Sequence, residues 1–561
     1  MIGSNNETIA RRTWLKYATL LGSAGLLPAE PAARRSLSSR SKDHGKGSVF
    51  ASATHGIVDT TAGKVRGYTR NGIHTFKGIP YGAPPIGKAR FLPPGKVEPW
   101  TSVRSSMAYG PVCPQVLRSG WQSDEQAWLF AWDDGYSSED CLRVNIWTPS
   151  LHDDKRRPVM VWLHGGGFVA GSSQEMRAYD GERLSHRGDV VVVSLNHRLG
   201  VLGFLNLEPY DGLKYEQSAN VGMLDLVAAL EWVRDNIANF GGDPDNVTIF
   251  GQSGGGGKVG ALMAMPQAKG LFHRAIVQSG SMLRHTPRED SERLSAATLE
   301  ELGIDRDHVE QLHGIPTEKL IEASSRALNR VAPPLNPAHL WRRLSWSPTV
   351  DGKILPNHPF DPVAPSISAN VPMMVGTVLN EFVSGIDNPE PEALTFDELK
   401  RFAAYFGDAD KVLDAYRRLD SEANLFETLS LIAAAPVRRS AIRQAERKAA
   451  LGGAPTYMYI FAWRTPVLDG RLGAYHSSDL PFMFDNVDRC ETMTGGTPEA
   501  HELASRMSDA WISFARSGDP NHHGLPKWPM FTANEAYTMI FDNQCRVELA
   551  PEREELQTIT A

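Results

Sequence analysis

The chain has 561 residues, of which 41% are hydrophobic and 22% charged, and this composition excludes a largely disordered protein. Lysine and arginine total 58 against 65 acidic residues, and the net charge of −7 argues against nucleic acid as a partner. The cysteines Cys113, Cys141, Cys490 and Cys545 have no CxxC spacing, so we expect no metal or other cofactor.

The first 33 residues have the pattern of an export signal. Arg11 and Arg12 precede a moderately apolar stretch, residues 17–27, which is too short to span a bilayer. A twin arginine before such a stretch is typical of bacterial Tat signals. We therefore predict a periplasmic or secreted protein without stable membrane insertion, with a disordered spacer at residues 34–48. The alternative is a frayed basic N-terminus on a cytoplasmic enzyme.

From about residue 56, short apolar runs alternate with helical stretches. Continuous apolar runs are typical of strands that are buried on both faces of a parallel sheet. These runs occupy residues 158–163, 190–195, 247–250, 275–278 and 372–375. A helical repeat lies between two of them, at Leu226, Leu230, Val233 and Ile237. The alternation predicts an α/β fold with a central, mostly parallel, doubly wound sheet flanked by helices.

Two charged stretches, residues 287–350 and 388–450, are helical in pattern and contain no strand-like run. We interpret them as helical insertions beside the sheet that form a gorge or cap. Length alone would suggest three or four domains at roughly 150 residues each. The continuous α/β pattern instead predicts a single domain over residues 49–561.

The segment around Ser253 predicts a nucleophile. A buried strand at residues 247–250 leads into the turn Gly251-Gln252-Ser253-Gly254-Gly255, and we expect a helix from Lys258 onward. A strained turn between strand and helix holds a serine hydroxyl clear of the sheet, as in a nucleophile elbow. The GxSxG spacing alone is a weak signal, and a glycine-rich structural turn is the alternative.

A second glycine-rich loop, His164-Gly165-Gly166-Gly167, directly follows the strand at residues 158–163. Its consecutive backbone N–H groups can point at one spot and hold an oxyanion, with the N–H of Gly254 as a third donor. A phosphate-binding loop is the alternative, but no Lys-Ser/Thr pair follows these glycines. We interpret His164 as a structural loop residue, because the base of such a triad follows the nucleophile in the chain.

The acid and the base of the triad are expected after Ser253, in that order. Glu381 lies just beyond the run at residues 372–375, at the edge of the sheet where active sites of parallel sheets collect. His476 lies in a loop of small residues before an apolar segment. Asp479 is a competing acid, although three residues from His476 it would need an unusual loop to face the imidazole ring.

Together these segments resemble type B carboxylesterases, the branch of the α/β-hydrolases that includes cholinesterases and bacterial para-nitrobenzyl esterases. The resemblance covers about residues 56–545. It is specific because several motifs that are independent of one another occur in the order expected for the family. Besides the two glycine-rich loops and the residues Glu381 and His476, the matching segments are residues 76–82, 138–147, 196–200 and 236–257. The departures are Gln252, where many members have glutamate, and His197, where tyrosine is commoner.

The resemblance implies roles for individual residues. Ser253 would be the nucleophile, His476 the general base and Glu381 the orienting acid, while Gly166, Gly167 and Gly254 would form the oxyanion hole. Ser279 would support the triad without touching the substrate.

The resemblance also implies structural pairs. Arg198 and Asp225 would form a buried ion pair. For Cys113 and Cys141, the residues alone leave a disulfide or two buried thiols open, and the resemblance implies the disulfide. Cys490 and Cys545 match no partner in the family.

These residues predict a carboxylic ester hydrolase that works through an acyl-enzyme on a small-molecule ester, as a monomer or homodimer. A carbamate or amide hydrolase on the same triad is the alternative, and a non-catalytic cholinesterase-like recognition module is a further one. The aromatic residues between Cys113 and Cys141 predict a preference for aryl or bulky apolar esters, unless they only pack this loop onto the body. They are Trp121, Trp128, Phe130, Trp132 and Tyr136.

Overall fold

The computed structural model describes residues 48–116, 124–151, 153–332, 344–382 and 393–560. The predicted export signal at residues 1–33 and Trp121 lie outside these ranges, as does the predicted spacer at residues 34–48 apart from its last residue. Residues 46–561 form one compact unit.

Strands alternate with helices through most of the described chain. The strands are β1 (Val49–Phe50), β2 (Ile57–Thr60), β3 (Gly63–Arg66), β4 (Tyr68–Arg70), β5 (Ile73–Pro80), β6 (Arg104–Ser105), β7 (Arg143–Thr148), β8 (Arg157–Leu163), β9 (Val191–Leu195), β10 (Gly242–Gln252), β11 (Arg274–Gln278), β12 (Thr286–Pro287), β13 (Thr349–Val350), β14 (Met373–Val378), β15 (Thr456–Phe461), β16 (Tyr537–Phe541) and β17 (Arg546–Leu549).

The α-helices are shorter toward the N-terminal half and longest after residue 420. They are α1 (Asp124–Phe130), α2 (Glu182–Gly188), α3 (Gly200–Phe204), α4 (Gly212–Tyr215), α5 (Val221–Asn236), α6 (Gly254–Ala264), α7 (Arg288–Leu302), α8 (Thr317–Val331), α9 (Phe396–Ala403), α10 (Ala409–Leu419), α11 (Leu425–Ala449), α12 (Leu480–Met483), α13 (Glu491–Thr494), α14 (Pro498–Ser517) and α15 (Arg553–Thr558). No described helix is both long enough and apolar enough to cross a membrane.

A 12-stranded sheet organises the described part of the chain, in the order β1-β4-β5-β7-β9-β8-β10-β11-β14-β15-β16-β17. From β9 through β16 every neighbouring pair is parallel, whereas the pairs at both edges are antiparallel. This mostly parallel sheet confirms the predicted α/β class. Two small sheets accompany it, β2-β3-β6 and β12-β13.

The sheet is covered on both faces, as its continuous apolar strands predicted. Along β8, Val159 and Val161 enter one hydrophobic core, whereas Met160 and Trp162 enter a second one. Successive side chains of a strand point to opposite faces, so these two cores lie on the two sides of the sheet. Helix α6 packs against β10 and β11, and α14 packs against β8 and β10.

All five predicted strands are present, as β8, β9, β10, β11 and β14, and the predicted helical repeat lies in α5, apart from Ile237 just after it. The insertions contain α7 and α8, and then α9, α10 and α11, but the short strand β13 also falls within the first one. One boundary prediction was wrong: α6 begins at Gly254, four residues before Lys258. Four glycines have low helix propensity, but their close packing against the glycine-rich loop after β8 and against β11 overrides it.

Candidate active site

Ser253 occupies a strained turn between β10 and α6. Its backbone has φ 55° and ψ −124°, which is sparsely populated for a residue with a side chain. Its N–H donates to the carbonyl of Gln278 at 2.8 Å, and its own carbonyl accepts from the N–H of Gly257 at 3.1 Å. These two hydrogen bonds tie the strained residue to β11 and α6, so the nucleophile-elbow geometry is held from both sides.

The glycine-rich loop after β8 lies directly against this elbow. Gly166 and Gly167 have φ values of +77° and +64°, which favour glycine. A Cβ atom added to Gly254 would lie 2.1 Å from the carbonyl oxygen of Gly167, so a side chain there would push the loop away. Among the residues that the structure describes, none accepts a hydrogen bond from the N–H groups of Gly166, Gly167 or Gly254. Three backbone donors are therefore available at this junction.

Glu381 and His476 are brought together by pairing of their two loops. Backbone hydrogen bonds run from the N–H of Asn380 to the carbonyl of Ala474 at 3.0 Å, and from the N–H of His476 to the carbonyl of Glu381 at 2.8 Å. Across this bridge, Nδ1 of His476 lies 2.6 Å from Oε2 of Glu381. The buried Glu381 carboxylate also accepts from the N–H of Val378 at 3.1 Å, which holds it in place.

The competing acid Asp479 points away from the imidazole nitrogens. Its Oδ2 accepts from Nε2 of Gln278 and from the hydroxyl of Tyr459, each at 3.1 Å, while its Oδ1 has no hydrogen-bond partner among the residues that the structure describes. Burial and, to a smaller extent, the nearby Glu381 carboxylate raise the pKa of Asp479 to about 6, although these hydrogen bonds act to lower it. The contact with His476 Nδ1 therefore belongs to Glu381.

The other nitrogen of His476 meets an unexpected partner, Gln252. The side-chain Nε2 of Gln252 lies 3.0 Å from Nε2 of His476. Because Nδ1 donates its proton to Glu381, Nε2 carries the lone pair of the neutral ring and accepts from the amide. Within the described residues, Ser253 makes no side-chain hydrogen bond to His476. The sequence shows glutamine at position 252, where many family members have glutamate, but it does not reveal this contact with His476.

Ser279 lies immediately behind the elbow. It is fully buried just after the end of β11, with φ 44°, and its N–H donates to the carbonyl of Gly376 at 2.8 Å. Its hydroxyl has no hydrogen-bond partner in the described part of the chain. The structure thus places Ser279 directly after β11 and bonds its backbone to β14, and its supporting role stays a prediction.

A buried group of titratable residues behind the glycine-rich loop was missed from the sequence. Lys258 lies on α6 with Nζ 2.9 Å from the carbonyl oxygen of His164, and it is completely buried. Glu175 and His197 are buried nearby, and the His164 and His197 rings lie 5.3 Å apart. A charged residue in an otherwise small and apolar helix was the available signal.

The predicted structural pairs have different outcomes. Arg198 and Asp225 form a buried ion pair with Nη2 and Oδ1 2.6 Å apart. Cys113 and Cys141 are both free and buried, and a hydrogen bond between their thiols raises the pKa of Cys141. Their disulfide is not formed in this structure and stays a prediction.

The aromatic residues of the Cys113–Cys141 loop divide into packed and exposed ones. Phe130 is buried, and its ring lies edge-on to Tyr475 with centroids 5.9 Å apart, so it packs the loop beside His476. Trp128 is 51% exposed and Tyr136 is 60% exposed. Trp132 packs against the same hydrophobic core as Phe130. Packing therefore accounts for Phe130 and Trp132, whereas Trp128 and Tyr136 are exposed.

The sequence profile of the Carboxylesterase family matches residues 54–559. The chain belongs to this family. The carboxylesterase is 38% identical over 513 residues to para-nitrobenzyl esterase of Bacillus subtilis (strain 168), a match that covers 90% of this chain and 99% of the relative. It is 34% identical over 505 residues to phenmedipham hydrolase of Pseudarthrobacter oxydans, covering 88% of this chain and 96% of the relative.

Solved structures agree with this assignment. A para-nitrobenzyl esterase structure matches the carboxylesterase with a TM-score of 0.75 and 36% identity, covering 91% of this chain and 100% of the other. An esterase from Clostridium hathewayi, described as hydrolysing aliphatic aromatic polyesters, matches with a TM-score of 0.77 and 38% identity, covering 91% and 99%. The carboxylesterase therefore has the α/β-hydrolase fold and is a serine hydrolase of carboxylic esters.

Proposed function

We propose that this carboxylic ester hydrolase works through a triad of Ser253, His476 and Glu381, with the N–H groups of Gly166, Gly167 and Gly254 as the oxyanion hole. The 2.6 Å contact between Glu381 and His476 beside the strained elbow carries the proposal. The acid fixes the tautomer of the imidazole, so that Nε2 is unprotonated and faces the elbow.

In the proposed reaction, Ser253 Oγ attacks the ester carbonyl while Nε2 of His476 takes the hydroxyl proton. The carbonyl oxygen becomes an oxyanion, and the three backbone N–H groups stabilise it. His476 then returns the proton to the leaving alcohol as the C–O bond breaks, which leaves an acyl-enzyme. Water attacks this ester with His476 again as the base, and the acid is released. The Gln252 amide must leave Nε2 before the first proton transfer.

The S253A variant tests this mechanism with p-nitrophenyl butyrate as the substrate. Removing the nucleophile should lower kcat by at least about 10⁴. The matched control is S508A, because Ser508 is buried on α14 and its hydroxyl bonds only carbonyls of its own helix. The control should retain kcat within about twofold, as expected away from the reacting atoms. Turnover by S253A at the wild-type rate would refute the triad.

For the substrate, we propose aryl or bulky apolar esters. The exposed Trp128 and Tyr136 supply flat apolar surface on a loop whose Phe130 packs beside His476. The relatives support the same class, since one is named a para-nitrobenzyl esterase and another is described as acting on aliphatic aromatic polyesters.

We also propose that the protein is exported through the signal containing Arg11 and Arg12, and that Cys113 and Cys141 are then joined by a disulfide. The two buried thiols are close enough to form a hydrogen bond, which supports a bridge between them. An oxidising compartment favours such a bond. Non-reducing peptide mapping of protein recovered from the periplasm or medium should find the peptides of Cys113 and Cys141 linked. Free thiols at both positions would refute the disulfide.

A further inference from the structure

Lys258 holds the back of the glycine-rich loop. Its Nζ donates to the carbonyl oxygen of His164 at 2.9 Å and lies 3.4 Å from the carbonyl oxygen of Gly165. The Gly165 carbonyl oxygen also lies 3.0 Å from Nδ1 of His164, so the lysine shares this acceptor with a buried imidazole. The lysine is completely buried, and no carboxylate of the described residues lies within ion-pair distance of it. Burying an ammonium group without a paired anion is unfavourable, so we ask what function this lysine serves at that position.

The peptide unit between Gly165 and Gly166 links this lysine to the oxyanion hole. A trans peptide unit is planar, and its C=O and N–H point in opposite directions. A donor that fixes the carbonyl of Gly165 therefore also fixes the direction of the Gly166 N–H. A charged donor on the carbonyl also polarises the unit and strengthens the N–H at its other end.

The next peptide unit does not depend on the lysine. The carbonyl of Gly166 accepts from the N–H groups of Val169 and Ala170, at 3.3 and 3.0 Å. These two bonds fix the N–H of Gly167 in the same way. The two loop donors of the oxyanion hole thus have separate supports. Only the peptide unit that carries the N–H of Gly166 has a lysine among the groups that contact its carbonyl, beside Nδ1 of His164.

Among the buried groups around Lys258, the lysine is the one that carries positive charge up to about pH 7. Burial lowers the pKa values of His164 and His197 well below the ordinary range, so both rings are neutral near pH 7. Glu175 accepts from the hydroxyl of Tyr179 at 3.0 Å, and burial raises its pKa to about 8. Burial lowers the pKa of Lys258 to about 7, and Glu175 opposes that shift.

We propose that Lys258 is a positioning residue of the oxyanion hole: its buried side chain orients and polarises the Gly165–Gly166 peptide so that the N–H of Gly166 meets the oxyanion. This role rests on the proposed function, which assigns that N–H to the oxyanion hole. Lys258 itself touches neither the substrate nor the reacting atoms.

The test compares K258M and K258Q, which remove the charge, with the matched control K448M. Lys448 is also buried and donates from Nζ to a backbone carbonyl, that of Ala369 at 3.0 Å, but on α11. Active sites are counted with a fluorophosphonate, and kcat and KM are measured with p-nitrophenyl butyrate. The affinity of an alkyl trifluoromethyl ketone, whose adduct carries an oxyanion, is the readout that a merely structural role would not move.

We expect K258M and K258Q to lower kcat about 10- to 100-fold, less than the loss of a whole oxyanion donor. The affinity for the trifluoromethyl ketone should fall by a similar factor, KM should change by less than about threefold, and K448M should leave all three values close to wild type. A folded K258 variant with wild-type kcat would overturn the proposal, as would a lower kcat with unchanged ketone affinity. If neither variant folds, the lysine is a structural part of the core and the proposal fails.

The S253A variant distinguishes a failure of the proposed role of Lys258 from a failure of the proposed triad. If S253A keeps its turnover, the proposed triad fails, and the role of Lys258 fails with it. If S253A is inactive while K258M retains the wild-type kcat and ketone affinity, only the role of Lys258 is refuted.

Discussion

The side-chain amide of Gln252 donates to Nε2 of His476 across 3.0 Å, at the nitrogen that takes the proton of Ser253 in the proposed mechanism. The amide is neutral, so it holds the imidazole between turnovers without favouring its protonated form. A carboxylate at this position would accept a proton from Nε2 and would favour the imidazolium.

The Q252E variant should therefore need a higher pH for activity. The added carboxylate stabilises the protonated ring, which cannot act as a base, so the acid limb of the kcat/KM profile should move up by about one pH unit. The profile is measured with p-nitrophenyl butyrate between pH 5 and 9, with Q252A as the uncharged control. An acid limb that stays in place, or moves to lower pH, would contradict this interpretation.

Replacing the two candidate acids should have unequal effects. Among the described residues, only Glu381 accepts a hydrogen bond from Nδ1 of His476. E381Q loses this acceptor, which sets the tautomer of the ring, and kcat should fall by about 10³ to 10⁴. D479N changes a carboxylate that is bonded instead to Gln278 and Tyr459, and kcat should fall by less than about tenfold. If D479N were the more damaging variant, Asp479 would be the acid of the triad.

Asp479 should also make stability depend on pH. Its pKa is raised from 3.8 to about 6, mainly by burial, so the folded state prefers the protonated acid. This contribution is fully present below pH 3.8 and is lost as the pH rises through 6. The full loss is about 3 kcal/mol, at 1.36 kcal/mol per pKa unit.

D479N removes this titration, so the gain in unfolding free energy of the variant over wild type should be about 2 kcal/mol larger at pH 7 than at pH 4. The measurement is urea denaturation of both proteins at the two pH values. The asparagine oxygen can still accept from Gln278 and Tyr459, which makes the variant a close match in shape. An equal difference at both pH values would show that Asp479 does not titrate in this window.

The exposed Trp128 should contribute to a preference for aryl esters. W128A, alone and combined with W121A, should lower the ratio of kcat/KM for 1-naphthyl acetate over ethyl butyrate by about three- to tenfold, as expected for the loss of an aromatic contact. Y405A is the control, because Tyr405 is 54% exposed in the second helical insertion. An unchanged ratio in both tryptophan variants would refute the proposed aryl preference.

The parts of the site that sequence could predict are those set by backbone topology. The elbow follows from a strand end, a glycine-rich turn and a helix, and the contact of Glu381 with His476 follows from two loops at one edge of a parallel sheet. These features depend on apolar runs and glycines, which the sequence displays directly.

The parts that sequence could not predict depend on where side chains turn within the assembled core. Whether Gln252 faces His476 or the glycine-rich loop is decided by packing around the elbow. From the sequence alone, Lys258 would be expected at the surface, because lysine is seldom buried. In the structure, however, every residue of α6 is buried and the ammonium group donates to the carbonyl of His164. The early start of α6 has the same origin, since packing outweighs the low helix propensity of four glycines.

The most direct test of the proposed mechanism is the site of reaction with a fluorophosphonate, which phosphonylates an activated serine. Intact-mass measurement should show one adduct per wild-type chain, peptide mapping should place it on Ser253, and ester turnover should fall in proportion to labelling. The S253A variant should remain unlabelled. An adduct on another residue, or ester turnover that persists after complete labelling of Ser253, would contradict the account.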